Sequence, residues 1–152
     1  MERLAINMAN IILAKKEHLS LIAHLEKEIF SEPCSENGLE IFLNERNFCT
    51  LALEDGVPVS YCTVVTVLDE AQIINVATSP DFRGRGYAKA VLEGVFEECK
   101  KRGISFISLE VRESNLPAIS LYQSLGFTTE GKRKDFYKNP RENALVMIKN
   151  LD

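Results

Sequence analysis

Arg83-Gly84-Arg85-Gly86-Tyr87-Ala88-Lys89 sets two glycines among three cations, between an apolar run (Ala71 to Thr78) and an amphipathic stripe. The first turn of a helix holds N–H groups that have no intrahelical acceptor, and the helix dipole favours an anion there. Glycines let a phosphate approach backbone that a Cβ would screen. The stretch therefore suits a phosphate or pyrophosphate. The plainer reading of a lone Gly-x-Gly is a tight turn flanked by solvated cations. Spacing excludes two other phosphate loops. A dinucleotide fingerprint needs Gly or Ala where Lys89 stands, and no Gly-Lys-Ser/Thr closes a longer loop. A Gly-x-Ser-x-Gly nucleophile elbow is also absent.

Downstream lie two candidate proton-transfer groups, Glu110 and Tyr122. Alternation sets Glu110 on one strand face with Ile104, Phe106 and Ser108. Apolar neighbours would desolvate the carboxylate and raise its pKa, as suits a general base. Read alone, the favoured reading is a surface carboxylate at the end of a strand, paired with Arg112, because carboxylates are mostly exposed. Tyr122, with an ordinary phenol pKa of about 10, is protonated at neutral pH and can donate. Its plain alternative is a core aromatic beside Leu121 and Leu125. Asn115 suits a helix N-cap.

The elements that must position these groups follow from periodicity. A strand is expected over Asn10–Ala14, then a helix from about Lys16 to Phe30 with Leu19, Ile22, Ala23 and Ile29 near one face. Ser35 caps a second, short helix. Phe48–Glu54 and Val57–Leu68 read as strands joined by Asp55-Gly56, a two-residue hairpin signal. Ala71–Thr78 reads as a strand covered on both faces. A helix starts near Gly84 or Arg85, carries Ala88, Val91, Leu92, Val95 and Cys99 as a stripe, and stops at Gly103. Ile104–Arg112 is a strand. A helix capped by Ser114 or Asn115 ends at Gly126, Phe127 opens a further strand, and Asn143–Lys149 forms the last one. The order β-α-α-β-β-β-α-β-α-β-β, with a parallel crossover from Ala71 to Arg112, predicts an α/β fold: a mixed sheet with helices on both faces.

The 152 residues suit a single domain spanning 1–152. Eighteen basic and 22 acidic residues give a net charge of −4, which argues against direct nucleic-acid binding. No apolar run is long enough to span a membrane, and the N-terminus lacks the pattern of a secretory signal. A cytoplasmic location is expected, with Cys34, Cys49, Cys62 and Cys99 reduced. The cysteines form no CxxC and the only histidines are His18 and His24, so no metal is expected.

Arg83-Gly84-Arg85-Gly86-Tyr87-Ala88 resembles the Gln/Arg-x-x-Gly-x-Gly/Ala signature of the GNAT family of N-acetyltransferases. The runs Asn75–Pro80, Leu109–Asn115 and Ala118–Phe127 resemble the RimI type of that family, the ribosomal-protein-alanine N-acetyltransferases. So do Arg133–Tyr137 and Arg141–Ala144. The resemblance implies an acyl-CoA N-acyltransferase fold and acetyl-CoA as co-substrate. Backbone at Val76, Ala77 and Thr78 would meet the pantetheine arm, Arg83 through Lys89 would hold the pyrophosphate, and Asn115 would touch the cofactor. Glu110 would be the general base for direct attack by an amine, and Tyr122 the general acid for the departing thiolate. A backbone N–H near Val76 or Ala77 would steady the developing oxyanion. The acceptor implied is a protein N-terminus, that of a ribosomal protein; a monomer would suffice. Alternatives are a small-molecule amine or lysine acceptor, or a non-catalytic acyl-CoA sensor. Two departures bear on the acceptor side: Pro33-Cys34-Ser35 replaces Pro-Trp-Ser, and Glu142-Asn143 replaces Glu-Asp.

Overall fold

The computed structural model describes residues 11–151. In chain order they form β1 (Ile11–Leu13), a 3₁₀ turn (Lys16–His18), α1 (Leu19–Ile29) and α2 (Glu36–Leu39), which runs into a second 3₁₀ turn (Glu40–Phe42). β2 (Phe48–Glu54), β3 (Val57–Val67) and β4 (Glu70–Thr78) follow, then a 3₁₀ turn (Pro80–Phe82), α3 (Tyr87–Lys101), β5 (Phe106–Arg112), α4 (Leu116–Ser124), β6 (Thr128–Lys138) and β7 (Arg141–Asn150). This is the order expected from sequence. Asn10, the expected start of β1, lies outside the described residues. Among the described residues, no helix is long and apolar enough to cross a membrane.

One seven-stranded sheet runs β1-β2-β3-β4-β5-β7-β6. Only β4 and β5 pair in parallel, joined by the α3 crossover; the other neighbours are antiparallel. Asp55 (φ 52°) and Gly56 (φ 80°) both take positive φ, as a two-residue turn between β2 and β3 requires.

Helices cover both faces. α3 presses fully buried Val91, Leu92, Val95 and Cys99 onto a core that also holds Ile107, Leu109 and Val111 of β5, with α4 packed beside it. Each such aliphatic side chain contributes about 1.5–3 kcal/mol by leaving water. On the other face, Ile22, Ala23 and Leu25 of α1 and Leu39 of α2 cover Cys49, Leu51, Tyr61 and Ala77.

The four cysteines are unbridged, and three are buried. Burial pushes the thiols of Cys49 and Cys99 from 9.0 up to about 12. It pushes Cys62 up as well. Unfolding restores ordinary values, so above pH 9 the unfolded chain is the one that loses these protons. Their contribution to stability is complete below pH 9 and is lost as pH rises from 9 toward 12. The expected result, read by circular dichroism melts, is a Tm that declines progressively across that window. A Tm that held constant to pH 12 would contradict it.

Candidate active site

β4 and β5 are paired only from Glu70/Phe106 to Gln72/Ser108. Beyond that point β4 follows β3 as far as Thr78, and β5 follows β7 as far as Arg112. A bulge at Ile74 breaks the β3–β4 ladder where the two parallel strands part. The result is an opening at the carboxyl ends of two adjacent parallel strands, the usual place for a ligand in such sheets.

The ladder decides which backbone groups face this opening. Ser79 donates its N–H to Val59 O at 2.8 Å, and Ala77 lies opposite Tyr61. Alternation therefore turns the backbone of Ala77 toward β3 and that of Val76 and Thr78 toward the opening. Of the two N–H groups named from sequence as oxyanion donors, only that of Val76 points there. Thr78 O accepts from Arg83 Nε at 3.2 Å.

The glycine loop meets α3 beside this opening. α3 begins at Tyr87, later than the expected Gly84 or Arg85, because Gly84 (φ 78°) and Gly86 (φ 89°) hold conformations that cannot continue a helix. A Cβ at either glycine would meet nothing within 4 Å, so both expose bare backbone to open space. A cavity of about 180 Å³ lies here, lined by Thr78, Phe82, Gly84, Gly86, Ala88 and Lys89 among others. Arg85 stacks over Phe82 at 4.9 Å and sits 3.7 Å from Glu54, so its charge is partly balanced. Lys89 is exposed and makes no ion pair among the described residues. Tyr87 is buried under the loop, with its hydroxyl donating to Glu54 Oε1 at 2.5 Å. Its side chain anchors the loop; only its backbone faces the helix N-terminus.

Glu110 lies beside the opening next to Gln72, and Tyr122 packs against the core on the opposite face of the sheet. Leu109 and Val111 point into the α3/α4 core, so Glu110 points to the α1 face. Its surroundings differ from the apolar ones expected. Phe106, Ser108, Glu110 and Arg112 form the half-exposed face of β5, and Ile104 lies before the strand. Gln72 Nε2 donates to Glu110 Oε1 at 3.1 Å, and Arg133 Nε lies 2.8 Å from Oε2. Arg112, the partner considered from sequence, instead binds Glu142 at 3.1 Å. Tyr122 packs edge-on against Phe127 with centroids 5.8 Å apart. Burial is the main cause that pushes its phenol up to about 12, so it keeps its proton at neutral pH. Asn115 accepts from Ala118 N–H at 3.3 Å and so caps α4.

Sequence reasoning missed Tyr137 and Glu26, and it left the contacts of Arg112, Cys34, Glu142 and Asn143 undetermined. Burial first, and the Glu110 carboxylate second, push the phenol of Tyr137 of β6 above its ordinary value, and Arg112 lies 4.3 Å above its ring. Arg112 also donates to Asn139 O and Pro140 O, while Glu142 accepts from Ser114 N–H at 2.7 Å. Hydrogen bonds from Ser114, then from Arg112, hold the Glu142 carboxyl below its ordinary value. Asn143 accepts from Asp135 N–H and donates to Glu113 Oε1. An ionised aspartate there has no proton to donate and would repel Glu113. The β6–β7 hairpin is thereby clasped to the segment that carries Asn115. On the α1 face, buried Glu26 accepts from Cys34 N–H and from the Tyr61 hydroxyl, which in turn accepts from Asn75 Nδ2. This network ties the Pro33-Cys34-Ser35 loop to β4. Its signal was available: Glu26 lies four residues after Ile22 on the apolar stripe of α1.

Comparison with known proteins identifies the family. Residues 17–127 match the model of the Acetyltransferase (GNAT) family. The [ribosomal protein bS18]-alanine N-acetyltransferase of Escherichia coli (strain K12) is 36% identical over 126 residues, covering 82% of this chain and 85% of that protein. A putative enzyme of the same description from Bacillus subtilis (strain 168) is 32% identical over 133 residues, covering 86% of this chain and 88% of that protein. The crystal structure of the Escherichia coli ribosomal-protein-S18-alanine N-acetyltransferase superposes with a TM-score of 0.84 at 32% identity, over 93% of this chain and 94% of that one. The mixed sheet opened between β4 and β5, the glycine loop at the start of α3 and these relatives together place the chain in the GNAT family of N-acetyltransferases.

Proposed function

We propose that this enzyme acetylates the N-terminal α-amino group of a protein, of the ribosomal-protein-alanine kind, with acetyl-CoA as donor. The observation that carries this reading is the arrangement at the opening. Glu110 stands on one face, Tyr122 on the other, and the Val76 N–H points between them. The fit to the donor rests on the bare backbone of Gly84 and Gly86, the exposed Lys89 and the unpaired side of β4. Acetyl-CoA would supply an acyl group activated as a thioester.

The chain's own groups divide the remaining work. Val76 N–H donates to an oxygen that gains negative charge. Glu110, directly or through a water, takes the proton of the acceptor amine on the α1 face. Tyr122, held protonated by burial, gives a proton to the departing thiolate on the other face. Asn115 would contact the donor while it caps α4. An α-amine has a pKa of about 7.7–8.0 against about 10.4 for lysine, so a carboxylate has less work to do on a protein N-terminus.

The test is thiol release from acetyl-CoA with peptides beginning Ala-Arg, Ser, Met or Gly, and with free polyamines, the acetyl group being located by mass spectrometry. Acetylation at the α-amine of the Ala peptide supports the reading. Activity confined to free amines would move the enzyme to small-molecule acceptors. Binding of coenzyme A with no turnover of any acceptor would favour a sensor.

A side chain at the loop should act on the donor alone. Gly86→Val forces a β-branched residue into a positive φ, at a cost of roughly 1–2 kcal/mol. The expected result is a KM for acetyl-CoA raised roughly 5- to 30-fold with kcat little changed at saturation, matched by weaker binding of coenzyme A in calorimetry. An unchanged coenzyme A affinity would remove the loop from the donor site.

A further inference from the structure

Both oxygens of the Glu110 carboxylate are engaged, and the two partners differ in kind. Gln72 is half-buried in the paired part of β4, opposite Ser108, and is held on both sides by neighbouring strands. Arg133 lies on the edge strand β6, its side chain 59% exposed, where the ladder with β7 is interrupted between Arg133 and Tyr137. Its guanidinium also lies 5.8 Å from the ring of Phe136, so it keeps one favourable partner if it leaves the carboxylate. Of the two groups on Glu110, only Arg133 is free to move aside. It is also the one with positive charge.

An amine reaches an enzyme at neutral pH largely as its ammonium. Replacing a guanidinium by an ammonium at Glu110 Oε2 keeps one cation on one anion. Replacing it by a neutral group leaves an ion pair broken with nothing in exchange. We propose that Arg133 is a displaceable counter-ion of Glu110 whose place the ammonium of the acceptor takes, and that this exchange selects a cationic amine over neutral groups. The proposal rests on Glu110 lying at the acceptor amine. Arg133 is then a specificity-determining residue that competes with the acceptor.

The probe is a peptide beginning Ala-Arg with fluorescein at its C-terminus, titrated by anisotropy onto the enzyme saturated with coenzyme A. For a pair whose cation is largely exposed and screened by water, Arg133→Gln is expected to lower the peptide Kd about two- to five-fold. Arg133→Lys, which keeps the cation, should stay within about two-fold of wild type. The same peptide with its N-terminus acetylated should gain nothing from Arg133→Gln. In a Glu110→Gln background the gain should vanish, because the competitor then has no carboxylate to occupy. A Kd unchanged or weakened by Arg133→Gln overturns the proposal, as does a gain that persists without the Glu110 carboxylate. Failure of the underlying reading shows separately, as a Glu110→Gln enzyme that retains its turnover.

Discussion

Glu110→Gln is expected to lower kcat by about 10²–10⁴-fold at saturating acetyl-CoA, the range for removal of a general base. The amide keeps the size and shape of the side chain and can still accept from Gln72. It cannot take up a proton, and its NH₂ would meet the Arg133 donor. The glycine loop lies on the other strand of the opening, so the KM for acetyl-CoA should hold. Arg133 is largely exposed and can turn to water, so the Tm should change little. Steady-state kinetics with the acceptor that emerges from the peptide panel provide the check. A kcat within tenfold of wild type would remove Glu110 from the chemistry. The proton would then have to go to water or to another group on the α1 face.

The second large effect concerns the support of the other face. Phe127 is 2% exposed, with its ring centroid 6.0 Å from Phe96 and 5.8 Å from Tyr122. Phe127→Ala should cost about 3–5 kcal/mol, the transfer of the ring plus the cavity it leaves. For a chain of this size that corresponds to a Tm lower by roughly 6–20 °C. The urea midpoint should fall without a change in slope. Because Tyr122 leans on this ring, kcat should fall as well at temperatures where the variant is folded. Phe127→Leu, which refills most of the volume, should recover most of the stability. A Phe127→Ala protein as stable as wild type would mean that the core collapses onto the gap, and that the ring is not what holds Tyr122.

The two effects meet at one geometric feature. In the proposed mechanism proton removal and proton delivery fall on opposite faces of one sheet, so each group can be tuned by its own surroundings. Burial keeps Tyr122 protonated on the α4 side, while Glu110, its side chain only 16% exposed, is held by the polar partners Gln72 and Arg133. Arg112 and Ser114 N–H clasp Pro140 and Glu142 of the β6–β7 hairpin and so fix that hairpin against the end of β5.

What the chain determined by itself was everything that rests on local periodicity and local backbone chemistry. The order of elements follows from apolar spacing. The β2–β3 turn follows from Asp55-Gly56, and the caps from Ser35 and Asn115. The glycine loop was legible because positive φ is a property of a single residue. Element ends were less so: α3 starts at Tyr87 because two left-handed glycines precede it, and β7 begins two residues earlier than Asn143 because it pairs with Lys138 across the hairpin. Only the tertiary structure decided who surrounds Glu110. Gln72 is 38 residues away and reaches it through parallel register, and Arg133 comes from a strand that does not neighbour β5. The expectation of apolar surroundings failed because alternation along one strand tells which residues share a face, but not what covers that face. Which of Val76 and Ala77 turns its N–H toward the opening likewise depends on the phase of a ladder that runs through Val59, a residue on another strand. Side-chain partners and ladder phase are non-local quantities, set by how strands are registered in space, and no window of sequence contains them.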